Sequence, residues 1–129
     1  MINKEQAHKL CRQFIDDILL IEDWYQSVKL HIKAILLYGS VVKGTNRPDS
    51  DIDVLIILPI GIEEKFTKGE YLYKFKNQEI NIVVRSIENL RKIAKAQTDQ
   101  FQKQIFDSSE IIWQKDDEVK NLLKQIGNI

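Results

Sequence analysis

The sequence predicts an α+β (α/β) domain, a mixed β-sheet with helices packed mainly on one face. Three observations carry that prediction. Apolar residues recur at three- and four-residue spacing near both ends of the chain. Short apolar runs in its middle are cut off by Gly39 and Pro59. A strictly alternating aromatic stretch, Tyr71, Tyr73 and Phe75, leads into the dense run Ile80-Asn81-Ile82-Val83-Val84. The first pattern marks amphipathic helices, the second buried strands, and the third a half-buried strand beside a buried one.

Taken in order, Ala7, Leu10, Cys11, Phe14, Ile18 and Ile21 form one apolar stripe. Asn3 is placed to cap that helix, with Gln6 three residues on where a capping box puts it. Cys11 lies on the stripe, which gives it a packing role. Trp24 to Lys33 is a mixed connection. Ile35 to Tyr38 is a buried strand ended by Gly39, and Ser40 to Lys43 makes a turn of helix before Gly44. Thr45 to Ser50 is dense in turn formers and predicts a loop. A second strand, Ile52 to Leu58, stops at Pro59. Glu70 to Lys76 is a half-buried strand. Asn77-Gln78 is a poor hairpin turn by composition, yet Ile80 to Val84 is strongly strand-like. Ser86 then caps a helix running to about Ala96, with Ile87, Leu90, Ile93 and Ala94 on its apolar side. Phe101 to Phe106 is a second helical piece, and Glu110 to Trp113 a last short strand. A closing helix, about Asp116 to Ile126, ends at Gly127.

The 129 residues suit one domain, and no repeat or Pro/Gly/Ser-rich linker divides them, so residues 1–129 are expected to form a single domain. Lys+Arg 19 against Asp+Glu 19 leaves no net charge, whereas a grip on long nucleic acid normally needs a basic excess. With 43% hydrophobic and 29% charged residues, the composition argues against disorder. The longest apolar stretch, Val54 to Ile62, is broken by Pro59 and falls far short of the roughly 20 residues of a membrane span. The N-terminus lacks an apolar signal core, which makes the cytoplasm the expected location. The single cysteine can form neither an internal disulfide nor a cysteine metal site.

The chemistry concentrates between Tyr38 and Leu58. Asp51 and Asp53 are two apart at a strand start, so their carboxylates share a face. Placing two like charges together is costly, and a hard divalent cation such as Mg²⁺ resolves the conflict while leaving positions open for phosphate oxygens. Gly39-Ser40 supplies backbone N–H groups and a hydroxyl where a phosphate could approach closely. Lys43 and Arg47, in the same connection, are cations that could reach phosphate oxygens. Two competing motifs fail on spelling. A calcium loop opening at Asp49 would need glycine at Val54 and glutamate at Ile60, and a Walker A loop needs Gly-Lys-Ser/Thr where the chain has Lys43-Gly44-Thr45. Sugar-nucleotide transferases also use an Asp-x-Asp pair, but they need a larger nucleotide domain. A lone Asp-x-Asp more often simply opens a strand or caps a turn.

Here the pair is not alone. Gly39-Ser40, ten residues, then Asp51-Ile52-Asp53 resembles the Gly-Ser-x10-Asp-x-Asp signature of the DNA polymerase β-like nucleotidyltransferases, closest to the short, minimal nucleotidyltransferase type. The resemblance covers about Ile32 to Trp113 in element order, with the signature as its specific part, and implies the polymerase β-like nucleotidyltransferase fold. It implies transfer of a nucleoside monophosphate, AMP from ATP as the favoured case, to an acceptor hydroxyl with release of pyrophosphate. Carried over by position, Gly39 and Ser40 hold the triphosphate, and Asp51 and Asp53 ligate Mg²⁺, with two ions expected. The family's third carboxylate, on a later strand, falls at Asn81, a departure from the pattern. An amide can ligate a metal but cannot act as a base. Glu79, two residues earlier on the same face, is the candidate substitute.

Minimal nucleotidyltransferases often pair with a helical HEPN-domain protein in toxin–antitoxin modules, so the resemblance implies a partner protein as acceptor. The alternatives are a catalytically weak antitoxin or regulatory subunit, favoured by Asn81, and an enzyme acting on small-molecule hydroxyls such as those of antibiotics. The sequence leaves the oligomeric state open. His8 and His31 belong to no spaced ligand set and are expected at the surface or its boundary. The Tyr71, Tyr73, Phe75 stripe is expected in the core rather than as a base-stacking platform. Arg85, Arg91, Lys92 and Lys95 could form a local basic patch, with a solvated helix face as the default.

Overall fold

The strands Ala34–Tyr38 (β1), Ile52–Leu58 (β2), Glu70–Phe75 (β3), Gln78–Ser86 (β4) and Glu110–Gln114 (β5) form one sheet in the order β3-β4-β2-β1-β5. The structure, a computed structural model, describes residues 2–96 and 100–127. β2 and β4 run parallel, and the other three pairings are antiparallel, so the sheet is mixed as expected. The helices are Lys4–Asp17 (α1), Asp23–Val28 (α2), Ser40–Lys43 (α3), Ile60–Phe66 (α4), Ile87–Ala96 (α5), Gln100–Asp107 (α6) and Glu118–Ile126 (α7). Two short 3₁₀ turns, Leu19–Ile21 and Lys29–His31, flank α2.

Residues alternate between the faces of a strand, and here both alternating sets are buried. Ile35, Leu37, Ile52, Val54, Ile56, Ile80, Ile82 and Val84 pack with Ala7, Cys11 and Phe14 of α1 and with Tyr25 and Val28 of α2. The intervening Ala34, Leu36, Leu55, Ile57 and Val83 pack with Leu90 of α5, Phe106 of α6 and Val119 and Leu123 of α7. The expectation of helices mainly on one face is therefore corrected: two helical layers enclose the sheet. The physical reason is visible in β2, whose run Val54 to Leu58 is apolar at every position, the mark of a strand buried on both faces.

Local signals hold at most boundaries. Asn3 and Gln6 exchange both hydrogen bonds of a capping box, at 2.8 and 2.9 Å. Ser86 Oγ accepts from the Asn89 N–H at 3.0 Å, and Gly127 closes α7 in the left-handed conformation at φ 113°. The β3–β4 hairpin differs from expectation. Phe75 pairs with Gln78, so the turn is Lys76-Asn77, with φ of 50° and 63°. Both residues are left-handed, as a type I′ turn requires, and only the asparagine advertises it. α2 and α4 were also not foreseen. Both are under two turns long, too short for a helical period to register.

The aromatic stripe of β3 is half-buried and packs against the core, so its role is the expected one of packing. Phe14 meets Tyr73 and Phe75 edge-on at 5.2 and 5.6 Å, and Trp24 stacks on Tyr71 at 4.0 Å while its indole N–H donates to the Tyr73 hydroxyl at 2.9 Å. Burial pushes the Cys11 thiol up to about 12, in keeping with a packing role. His8 sits 3.4 Å from Glu110, and His31 is exposed. Lys92 and Lys95 are exposed on α5, while Arg91 is held by Glu118 at 2.7 and 3.1 Å. Among the described residues, no helix is long and apolar enough to cross a membrane.

Candidate active site

β1 and β2 pair antiparallel through a long connection, which brings Tyr38 opposite Asp53. Gly39 leaves β1 with φ 83° and ψ −160°, a conformation that only glycine adopts without strain. A second constraint acts at the same position. A Cβ on Gly39 would press into the Asp53 carboxylate oxygen and lie 3.1 Å from its Cγ. The glycine thus allows the main chain to pass directly against the aspartate. Ser40 opens α3, the single turn expected there, and Gly44 ends that turn in the left-handed conformation at φ 74°. The loop beyond is tied at both ends. The Asn46 amide donates to the Ile2 carbonyl and the Gln78 amide to the Ser50 carbonyl, each at 2.8 Å, and the Arg47 N–H donates to Ser50 Oγ at 2.7 Å.

Register then builds a row across four strands. Tyr38 pairs with Asp53, Asp53 with Asn81, and Asn81 with Leu72, so all four share one face. It is the face covered by α5, α6 and α7 elsewhere, but toward β3 the cover stops: Leu72 is 68% exposed. The Asp53 carboxyl is pushed up to about 6, chiefly by burial. The Asn81 amide, donating to it, pulls the other way, and the nearby Asp51 carboxylate pushes it further up. Asn81 is therefore the strand neighbour of Asp53, in the position the third carboxylate was expected to fill.

The predicted residues separate into two groups. Gly39, Asp51, Asp53 and Asn81 come together, with Ser40 directly after Gly39. Glu79, Lys43 and Arg47 are exposed; the Lys43 backbone N–H donates to the Gly39 carbonyl at 3.1 Å, but among the described residues no side-chain hydrogen bond or ion pair ties the three to that group. Glu79 faces Lys74 across the hairpin and lines a shallow cavity of about 290 Å³ with Pro48, Asp49 and Ser50. Its neighbour Ile80 pairs with Ile52, so Glu79 lies on the Asp51 side of the row. Among the described residues, no three carboxylate, histidine or cysteine side chains gather closely enough to hold a metal by themselves.

Tyr38 is the member of the row that sequence reasoning passed over. Burial first, then the Asp53 charge, pushes its hydroxyl up to about 12, while Arg85 pulls it down and Glu70 raises it. The available signal was its place immediately before Gly39 on a strand that must pair with Ile52–Leu58. Arg85 and Glu70 lie on the same face by strand parity, which adds a cation and a carboxylate to the open end of the site.

The donor set fits a divalent cation of the Mg²⁺ kind. Asp51 and Asp53 offer hard carboxylate oxygens, Asn81 an amide oxygen, and Gly39 leaves the space beside Asp53 free of side chain.

A search of curated proteins finds no match. Among solved structures, the fold is similar to a nucleotidyltransferase-like protein from Exiguobacterium sibiricum 255-15, with TM-score 0.63 and 11% identity over 92% of this chain. The chain spans 38% of that protein's length. A toxin-antitoxin structure with AMP-PNP aligns with 93% of this chain and 82% of its own, at TM-score 0.46 and 13% identity. The match that bears on descent is in the sequence itself. Residues 6–118, which contain the whole of the row and its glycine turn, match the family described as Polymerase beta, Nucleotidyltransferase, and the chain belongs to that family.

Proposed function

We propose that the chain is an Mg²⁺-dependent nucleotidyltransferase that moves AMP from ATP to an acceptor hydroxyl on a partner protein. The observation that carries this reading is the placement of Gly39 against Asp53, with Asp51 beside it and Asn81 as its strand neighbour. When bound, the metal would neutralise phosphate charge and align the reacting oxygens. Asp51 and Asp53 would hold it, with Asn81 contributing its amide oxygen. Gly39 and Ser40 would admit the triphosphate to the carboxylates, and Lys43 and Arg47 would reach its outer oxygens from their exposed positions. In the transfer, the acceptor oxygen bonds to the α-phosphorus, the bond to the β-phosphate breaks, and pyrophosphate leaves. Glu79 is the candidate for taking the acceptor proton.

The acceptor hydroxyl lies outside this chain in the proposal. A second protein supplies it in this reading, with a helical HEPN-type partner as the resemblance implies. Labelled ATP incubated with the chain and its partner should transfer label, and Asp51→Asn with Asp53→Asn should reduce transfer at least 100-fold. Transfer by the double variant at the wild-type rate would overturn the proposal.

Asn81 favours a second reading, a binding or antitoxin-like subunit with little catalysis, because it removes a carboxylate and donates to Asp53 instead. Calorimetry separates the two. A catalytic site binds ATP with Mg²⁺-dependent affinity, and a degenerate one does not. Transfer to small-molecule hydroxyls, such as those of antibiotics, is the third option, read by the same label with small molecules in place of the partner.

A further inference from the structure

At the opposite end of the sheet from Gly39, a cavity of about 630 Å³ opens between α1, the turn Lys29–His31 and the edge strand β5. Its floor is apolar, with Ile15, Ile32, Ile35 and Ile112. Its rim carries three cations, Arg12, Lys29 and Lys115, against the single anion Asp16. Among the described residues none of the three cations has an ion pair, and all are exposed. Directly beside this cleft stands the chemical inverse. Ile21 is 78% exposed and next in sequence to the cleft residue Leu20; Asp17 and Asp23 are its exposed acidic neighbours along the chain, while Glu22 is half-buried and engaged by the Tyr73 hydroxyl. Leu30 at 84% and Trp113 at 47% exposure line the cleft itself, which adds exposed apolar surface at the same end as Leu20 and its neighbour Ile21.

Three of the six large apolar side chains exposed among the described residues are thus gathered at one end. A patch of this kind marks an interaction surface. We propose that the occupant is a second copy of this chain, related by a two-fold axis. Each copy inserts its Ile21 knob and acidic flank into the other's basic-rimmed apolar cleft. The argument is charge complementarity within one surface: cleft and knob lie side by side, and a two-fold interface brings each part of a patch against the other part of its copy. The interface lies away from the Gly39–Asp53 site, so it stands or falls independently of the proposed activity.

Sedimentation equilibrium of the full chain at 1–200 µM tests it. The expected species is a dimer of twice the 15.1 kDa chain mass. Ile21→Asp should weaken association at least tenfold, and because Ile21 is mostly exposed the monomer should keep its circular dichroism and Tm. A charge-swapped pair sharpens the result. Lys29→Glu with Lys115→Glu makes cleft and knob both acidic, and Asp17→Lys with Asp23→Lys makes both basic. Each variant alone should be monomeric, and their mixture should form a heterodimer. A wild-type monomer at 200 µM overturns the proposal and leaves the cleft to another protein. A dimer that survives all three changes overturns it as well.

Discussion

Residues 53 and 54 are neighbours on one strand and meet opposite surroundings. Val54 is sealed against α1 and α2, on the face whose edge is closed by the half-buried aromatic side chains of β3. Asp53 faces the other layer at the point where its helices no longer reach, between Tyr38 and the exposed Leu72. Packing defines the first environment, and the lack of packing defines the second. Polar groups persist at the centre of this five-stranded sheet because the fold leaves one end of one face open. The carboxylate there keeps an abnormal proton affinity that the valine side could not accommodate.

The largest test of that contrast is on the sealed face. Phe14→Ala removes a fully buried ring that touches both Tyr73 and Phe75, and should cost about 3–5 kcal/mol in urea denaturation. A loss under 1 kcal/mol would mean that this layer is loosely packed. At the border between the regions, Gly39→Ala should cost about 2–3 kcal/mol, from a strained main chain and from the methyl group pressed against Asp53. The same variant combined with Asp53→Gly should recover part of that loss, since the contact is then gone.

The smallest effect has the opposite sign. Asp53 titrates near 6 in the folded chain against 3.8 ordinarily, so folding favours its protonated form. Its contribution to stability is full below about pH 4 and is lost as pH rises through about 6. Asp53→Asn in EDTA should therefore stabilise the protein at pH 8, by about 1–2 kcal/mol after allowing for partial solvent screening, and should have almost no effect at pH 4. Equal effects at both pH values would show that the carboxylate is not strained by its surroundings. A gain in stability with a loss of function is the trade expected of a site residue.

Much of this was legible in the chain. Ile52–Leu58 was bounded correctly because Pro59 ends it, and both helix caps followed from Asn3 and Ser86. The spacing of Gly39 to Asp53 was readable because a turn and a strand start are local events. What escaped was non-local or too short. The second helical layer follows from the apolar character of every position in β2 after Asp53, a pattern that alternation rules do not assign to a side. Tyr38 joined the site only through β1–β2 register, which depends on pairing across the sheet. Glu79 and Asn81 share a strand face as parity requires, yet only Asn81 meets Asp53, because the parallel register with β2 sets which rung each occupies.

The buried thiol of Cys11 has a practical consequence. It is the chain's one cysteine, and its proton is held far above neutral pH, so a disulfide reagent in solution finds almost no thiolate while α1 rests on the sheet. Modification has to wait until that helix lifts away. The labelling rate relative to a free thiol therefore reports how often α1 detaches, a stopwatch for local opening that the sequence carries without any engineered probe.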